Sequence, residues 1–449
     1  MAAACGQYCT LLVSEQGDMF SMGRCLTQHG QQYAVTPRLS NHHYCFNGEE
    51  VAMVSAGGTN GAVVTKDGSM WNWGDTCGTG RHNRYLGQCH FFGHNVVMLA
   101  FGGSSCVVLT CAGRVYRCGQ NDHIEGPEAN TFRLVPPESF NERRIVMVAS
   151  GVFHKMAVDT DGTLWTWGDN LAGELCEVAP HDAAGLATRV PIEIASDKFQ
   201  GQKVVHVAGG NKYTMVVTES RELWGCGASH VGQTGLGIID RTCVPMRVGA
   251  AAHIFGADGV RMTACGQRHT LIVGTDNRLW VCGYGNDMNL GTGDLYQVYP
   301  NNCVRVPTLI PDTPNFVNGN VMTVSAGYRH SVAVMRNGSV FTWGRRDFPN
   351  TGRALSPCGT GHHQNVRVPT RVHMRGILIG HWHPRSWLRA HPEHAVAAFM
   401  AYQARLGADA GIRVLVPDTL ERCFEQGMRF TPRYRAGLLA LTGMHDGVI

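Results

Sequence analysis

The chain has 449 residues, of which 44% are apolar and 16% charged, with 56 glycines and a net charge of +4. So much glycine and so little charge exclude a disordered polar chain and favour a turn-rich β architecture; no Lys/Arg run or tail accompanies the small positive balance, so direct nucleic-acid binding is not expected. No apolar run reaches the ~18 residues that span a bilayer, and no signal peptide precedes Cys5, so the expected location is intracellular, in cytoplasm or nucleus, with no membrane partner.

Read from the N-terminus, the first predicted element is a hairpin that runs from Gly6 through a turn at Gly17 to Gly23. It returns six times, anchored at Gly57, Gly103, Gly151, Gly210, Gly266 and Gly327 and closed at Gly74, Gly119, Gly168, Gly227, Gly283 and Gly344. The closing glycine follows its anchor by seventeen residues, except in the third copy, which is one shorter. In the fourth copy, "SGVFHKMAVDTDGTLWTWG" (150–168), two alternating runs flank an Asp-Gly pair suited to a type I′ turn, whose central residues need positive φ. Arg221 and Asn277 replace the turn glycine in the fifth and sixth copies; asparagine tolerates left-handed backbone, whereas arginine predicts an altered turn. Before the closing glycines stand Met22, Trp73, Cys118, Trp167, Cys226, Cys282 and Trp343. These residues are expected to pack on the neighbouring hairpin, and the glycines to let backbones approach.

Each repeat offers two more strands. An apolar run such as "VVHVAGG" (204–210) precedes the anchor, and a proline-marked run follows a variable loop: 35–39, "LVPPE", 189–194, 243–248, 305–310 and 367–372. Proline suits an outer edge, where its missing N–H faces solvent. Four strands in a repeat of 46 to 61 residues describe a propeller blade. The first hairpin has no proline-marked strand before it and the last such strand has no hairpin after it, so residues 367–372 are expected to close the ring by joining the N-terminal blade.

"AGYRHSVAVMRNGSVFTWG" (326–344), "SGVFHKMAVDTDGTLWTWG" (150–168) and "CGQRHTLIVGTDNRLWVCG" (265–283) resemble the regulator of chromosome condensation repeat. The resemblance implies an all-β seven-bladed propeller over residues 1–373. It leaves function open, because the family includes exchange factors for a Ran-type GTPase, chromatin binders, a plant ultraviolet photoreceptor, ubiquitin-ligase subunits and scaffolds. The photoreceptor carries a tryptophan after the anchor glycine, where Gln267 and Tyr328 stand here, so light sensing is not expected. The founding exchange factor's basic N-terminal tail has no counterpart; an acidic-patch contact through Arg268, Arg329, Arg345 and Arg346 stays open.

Residues 374–449 read differently. "HPEHAVAAFMAYQARLG" (391–407), "PDTLERCFEQG" (417–427) and "TPRYRAGLLALTG" (431–443) carry helical periodicity and cap signals, which predicts a small, mainly helical domain that docks on the propeller or serves as a partner handle.

No catalytic, cofactor or metal site is expected. The paired and clustered histidines combine with no cysteine at zinc-ligand spacing, and the glycine-rich loops lack a P-loop lysine and a following helix. The seventeen cysteines read as reduced, mostly buried thiols, with Cys5 and Cys9 as small hydrophobes. His154, His269 and His330 recur three residues after the anchor, where repetition without a nucleophile or carboxylate partner points to a structural hydrogen bond. The positions just after the anchors place Tyr8, Phe153, Lys212, Arg268, Tyr328 and Arg329 on one face, with Arg345 and Arg346 beside them, as partner-binding candidates. The expectation is a non-enzymatic protein-interaction scaffold; the alternative is a guanine-nucleotide exchange factor for a Ran-type GTPase with chromatin association, whose partners would be a small GTPase or histones.

Overall fold

The computed structural model describes residues 2–373 apart from 15, 28–29, 41–45, 59, 75–82, 90, 92–94, 104, 120–130, 178–186, 250–253, 256–258, 346–357, 359 and 361–364. The predicted C-terminal helices and Arg346 lie outside the described residues. What the chain forms is the all-β propeller: seven four-stranded antiparallel sheets, each built from consecutive strands. Blade 4 is typical, with strands Ile145–Ser150, His154–Asp159, Leu164–Asp169 and Ala187–Ile194 from the channel outward. The second strand of every blade is buried along its whole length, from Cys9–Val13 to His330–Met335, because neighbouring blades cover both its faces. That is why these strands read as near-continuous apolar runs. Pro37, Pro191, Pro245, Pro307 and Pro369 all fall in fourth, outer strands, as their missing N–H requires. In blade 3 only Arg133–Leu134 pairs, and Pro136 and Pro137 lead instead into a 3-10 turn.

The hairpin turn is not type I′. In blade 4, Gly162 N–H donates to Asp159 O (3.1 Å), Asp159 N–H donates to Thr163 O (3.1 Å), and of the turn residues only Gly162 has positive φ (82°). This is a type I turn closed by a glycine bulge. Its carbonyl then accepts Val204 N–H, the first amide of the next blade's inner strand, at 2.8 Å. Gly17, Gly68, Arg221 and Asn277 do the same for Val51, Val96, Val260 and Val321. Arg221 therefore keeps the ordinary turn, at φ 66°, rather than altering it, because only left-handed backbone aims that carbonyl at the neighbour. Gly162→Val, with φ of 82° and a new Cβ 2.5 Å from Lys203 Cβ, is expected to cost at least ~2 kcal/mol, whereas Arg221→Gly should be neutral or stabilising in urea unfolding.

All seven closing glycines have positive φ, from 85° at Gly23 to 126° at Gly74. In six blades the pairing of third and fourth strands shifts register at that glycine. The glycine thus serves a bulge as well as a close approach: a Cβ on Gly168 would lie 2.5 Å from Phe153 O.

A feature outside the hairpins completes the cores of blades 2 to 7. An aromatic in the connection leading into a blade sits edge-on to the aromatic of its third strand: Phe46 on Trp71, Phe91 on Tyr116, Phe140 on Trp165, Phe199 on Trp224, Phe255 on Trp280 and Phe316 on Phe341, with centroids 5.1 to 6.0 Å apart.

Ring closure differs from expectation. Val366–Arg371 pairs with Val340–Gly344 and completes the last blade, while the N-terminal blade carries its own fourth strand, Gly30–Ser40, paired with Met19–Thr27. Every repeat holds a full set of strands, so none is left to be shared. The first and last blades meet instead through side chains and single amides. Tyr328 N–H donates to Gly6 O (3.3 Å), Cys5 N–H donates to Ser325 Oγ (2.9 Å), and Leu12, Phe20 and Met22 pack with Val332, Val334, Val340 and Val372.

The cysteines are corrected in one pair: Cys176 and Cys226 form a disulfide, with Cα atoms 5.5 Å apart. Most other described cysteines are free and buried. Burial pushes the Cys5 and Cys265 thiols up to about 12, so both remain protonated packing groups.

Candidate interaction surface

The residues two after the anchor glycine occupy one position in blades 4 to 7 because the residue after the closing glycine fixes them. Asp169 N–H donates to Phe153 O, Ala228 N–H to Lys212 O, Tyr284 N–H to Arg268 O and Arg345 N–H to Arg329 O, at 2.7 to 3.0 Å. The carbonyls of the anchors themselves join blade to blade on this face: Gly210 O accepts Val152 N–H, Gly327 O accepts Gln267 N–H and Gly6 O accepts Tyr328 N–H. Phe153, Lys212, Arg268, Tyr328, Arg329 and Tyr8 thus follow one another around a single face.

The structure brings most of them into stacked pairs. Lys212 Nζ lies 5.6 Å from the Phe153 ring centroid, Arg268 lies 5.8 Å from Tyr284, and Arg329 lies 5.3 Å from Tyr328. Each contact contributes about 0.5–1 kcal/mol when exposed. Arg329 and Arg345 share Asp287, at 3.7 and 3.3 Å, and that carboxylate is 9% exposed. Tyr8 is half-buried on the adjacent first blade. Among the described residues, no carboxylate lies within 4 Å of Lys212 or Arg268, so the crescent keeps a positive excess and Arg268 points to solvent. Tyr284 and Asp287 were not singled out by sequence: both fall in the stretch "GYGNDMNLGTG", read only as lacking a phosphate loop's lysine and helix, although an aromatic directly after the closing glycine and an acid three residues further on were a usable signal.

Beneath this face runs a chain of buried polar contacts. His154 Nε2 is 2.7 Å from Thr214 Oγ1, His269 Nε2 2.8 Å from Ser331 Oγ and His330 Nε2 2.9 Å from Thr10 Oγ1, each crossing to the next blade. Thr214 in turn donates to Glu174 O and Ser331 to Asn289 O. A hydroxyl has one proton, so the imidazoles of His154 and His269 must donate from Nε2. Asn289 Nδ2 donates to His269 Nδ1 at 2.9 Å, which holds the same tautomer. Burial pushes His154 and His269 down to about 3 and His330 to about 4; the Lys155 ammonium adds to the effect on His154, and His330 to that on His269. Burial also raises the Glu174 carboxyl, whose Oε2 accepts Ala172 N–H at 2.7 Å. These histidines are fully buried and spent on joining blades, as repetition predicted. Among the described residues no group of three or more His, Cys, Asp or Glu side chains could hold a metal, and no helix is long and apolar enough to cross a membrane.

Comparison with family models matches the regulator of chromosome condensation (RCC1) repeat at residues 161–217, 276–334 and 323–348. The chain is 29% identical over 346 residues to the ultraviolet-B receptor UVR8 of Arabidopsis thaliana, covering 71% of this chain and 73% of the receptor. It is 26% identical over 302 residues to the guanine nucleotide exchange factor SRM1 of Saccharomyces cerevisiae, covering 62% and 58%. Against the mouse E3 ubiquitin-protein ligase HERC2 it is 28% identical over 280 residues, 61% of this chain but 5% of the ligase. Among solved structures, Prp20p from Saccharomyces cerevisiae superposes with a TM-score of 0.66 at 22% identity, covering 81% of this chain and 88% of Prp20p. At that identity the likeness concerns the propeller fold alone.

Proposed function

We propose that this RCC1-repeat chain is a non-enzymatic protein-interaction scaffold whose cation-aromatic crescent receives an acidic segment of a partner protein in the cytoplasm or nucleus. The observation that carries the reading is the state of Lys212 and Arg268: each is held against a ring, and among the described residues neither has a carboxylate within 4 Å. Arginine and tyrosine at a preorganised surface are the residue types that dominate interface energies, because they present large contact area at low entropic cost. Arg329 and Arg345, braced on Asp287, extend the patch, and Phe153, Tyr328 and Tyr8 supply its apolar area. Residues 1–373 form the propeller module of this proposal, and 374–449 form a second module that supplies partner specificity.

A second reading, an exchange factor for a Ran-type GTPase with chromatin association, draws support from the alignment with SRM1. In that case the propeller would stabilise a nucleotide-free GTPase, with histones as further partners. Release of labelled GDP from Ran-type GTPases separates the two: no acceleration at micromolar propeller is expected for a scaffold, and a hundredfold or greater acceleration would replace it with the exchange-factor reading. Affinity capture with the full chain and with a chain ending at Met374 then tests the modules. The scaffold reading expects a stoichiometric protein set that is reduced on truncation; monomeric behaviour with no bound protein overturns it.

A further inference from the structure

Eight residues after the closing glycine, blades 4, 5 and 6 place Cys176, Gly235 and Gly291, all with positive φ, at 61°, 73° and 72°. Each faces the residue before the next blade's closing glycine. A Cβ on Gly235 would lie 3.2 Å from Cys282 Sγ, and one on Gly291 would lie 2.8 Å from Trp343 Nε1. Glycine is the residue this position asks for, because the backbone is left-handed and the neighbour leaves no room for Cβ. Blade 4 departs from it with a cysteine, opposite Cys226. Cys282 stands at the same place in blade 6 and is a free buried thiol facing glycine. The cross-link therefore depends on the one substitution that costs backbone energy.

We propose that Cys176 and Cys226 form a redox-dependent staple between blades 4 and 5. Closure is a two-electron oxidation by a small-molecule disulfide of the glutathione type. One cysteine thiolate attacks the donor disulfide and releases one thiol; the second cysteine displaces the other from the mixed disulfide, forming the S–S bond, and the two cysteine protons end on the two released thiols. Both sulfurs are fully buried, so exchange requires residues 170–177 to lift from blade 5. Those residues carry Glu174 O, which accepts the Thr214 hydroxyl that in turn meets His154. Closed, the staple fixes this junction, two residues from Lys212; reduced, it leaves the hydrogen bonds alone to hold it. The inference stands whether or not the crescent binds a partner.

The test uses the full chain equilibrated in mixtures of oxidised and reduced glutathione, then alkylated, digested and analysed for a 176–226 cross-linked peptide. Melting and amide exchange are followed with and without dithiothreitol. The expected result is a cross-link that titrates with the glutathione ratio, a melting temperature about 5 °C or more lower after reduction, and at least tenfold faster exchange in 170–177. Cys176→Gly restores the residue of the neighbouring blades and should fold, with neither property responding to reductant. Cys226→Ala serves the same purpose if that variant does not fold. No cross-link in any mixture, or an unchanged reductant response in the variants, overturns the proposal.

Discussion

Lowering the pH from 7 to 5 is expected to remove about 6 kcal/mol of stability through three buried imidazoles, three times about 2 kcal/mol. The sign follows from the buried imidazoles. His154, His269 and His330 bind a proton in the unfolded chain near 6.5, but in the folded chain only near 3, 3 and 4. Between those values the unfolded state holds more protons, so the stability is present above pH 6.5 and is lost as pH falls toward the folded values. At pH 5 each group lies about 1.5 units below its unfolded value, which at 1.36 kcal/mol per unit gives about 2 kcal/mol. Protonation would also put a donor at Nδ1 of His269, facing the Asn289 amide that now donates to it. Urea unfolding at pH 7, 6 and 5 measures the slope. Replacing all three histidines with asparagine should flatten it, and a stability equal at pH 7 and 5 would contradict the neutral inter-blade contacts.

Phe199→Ala should destabilise the propeller by about 4 kcal/mol. Phe199 is 1% exposed, meets Trp224 edge-on at 5.8 Å, and belongs to a core that runs from Met98 in blade 3 to Cys226 in blade 5. Truncation removes the ring from a site walled by strands on both sides, where little collapse can refill it. Val190→Ala, at a position 58% exposed on an outer strand, is the control and should change stability by less than about 0.5 kcal/mol. A Phe199→Ala loss no larger than the control's would show that the lead-in aromatics are not part of the blade core.

Much of this fold was legible because its constraints are local. The spacing from Gly151 to Gly168 is set by two strands and one turn, and the burial of His154–Asp159 is written as an apolar run. What failed to show depends on contacts between blades. The Asp-Gly pair suggested a type I′ turn because the pair alone does not reveal that Gly162 O must reach Val204. Arg221 looked disruptive for the same reason. The lead-in phenylalanines lie outside the repeating hairpin, with nothing at their own positions to mark a partner such as Trp224. Cys176 and Cys226 are 50 residues apart in a chain rich in buried thiols, so their pairing could only be seen once the blades were stacked. On the candidate surface, Lys212, Arg268 and Arg329 followed from register, whereas Tyr284, at the end of a third strand, and Asp287, in the loop after it, lie where length and composition change from blade to blade.

The scaffold reading stands or falls on the crescent. The deciding measurement is affinity capture from native lysate with the wild-type chain and with Lys212→Glu/Arg268→Glu, quantified by mass spectrometry at matched thermal stability. Two charge reversals at interface hot spots of about 2 kcal/mol or more each should lower the recovered partner by at least a hundredfold. Recovery of the same proteins in the same amounts by both chains would contradict a partner-binding role for this face.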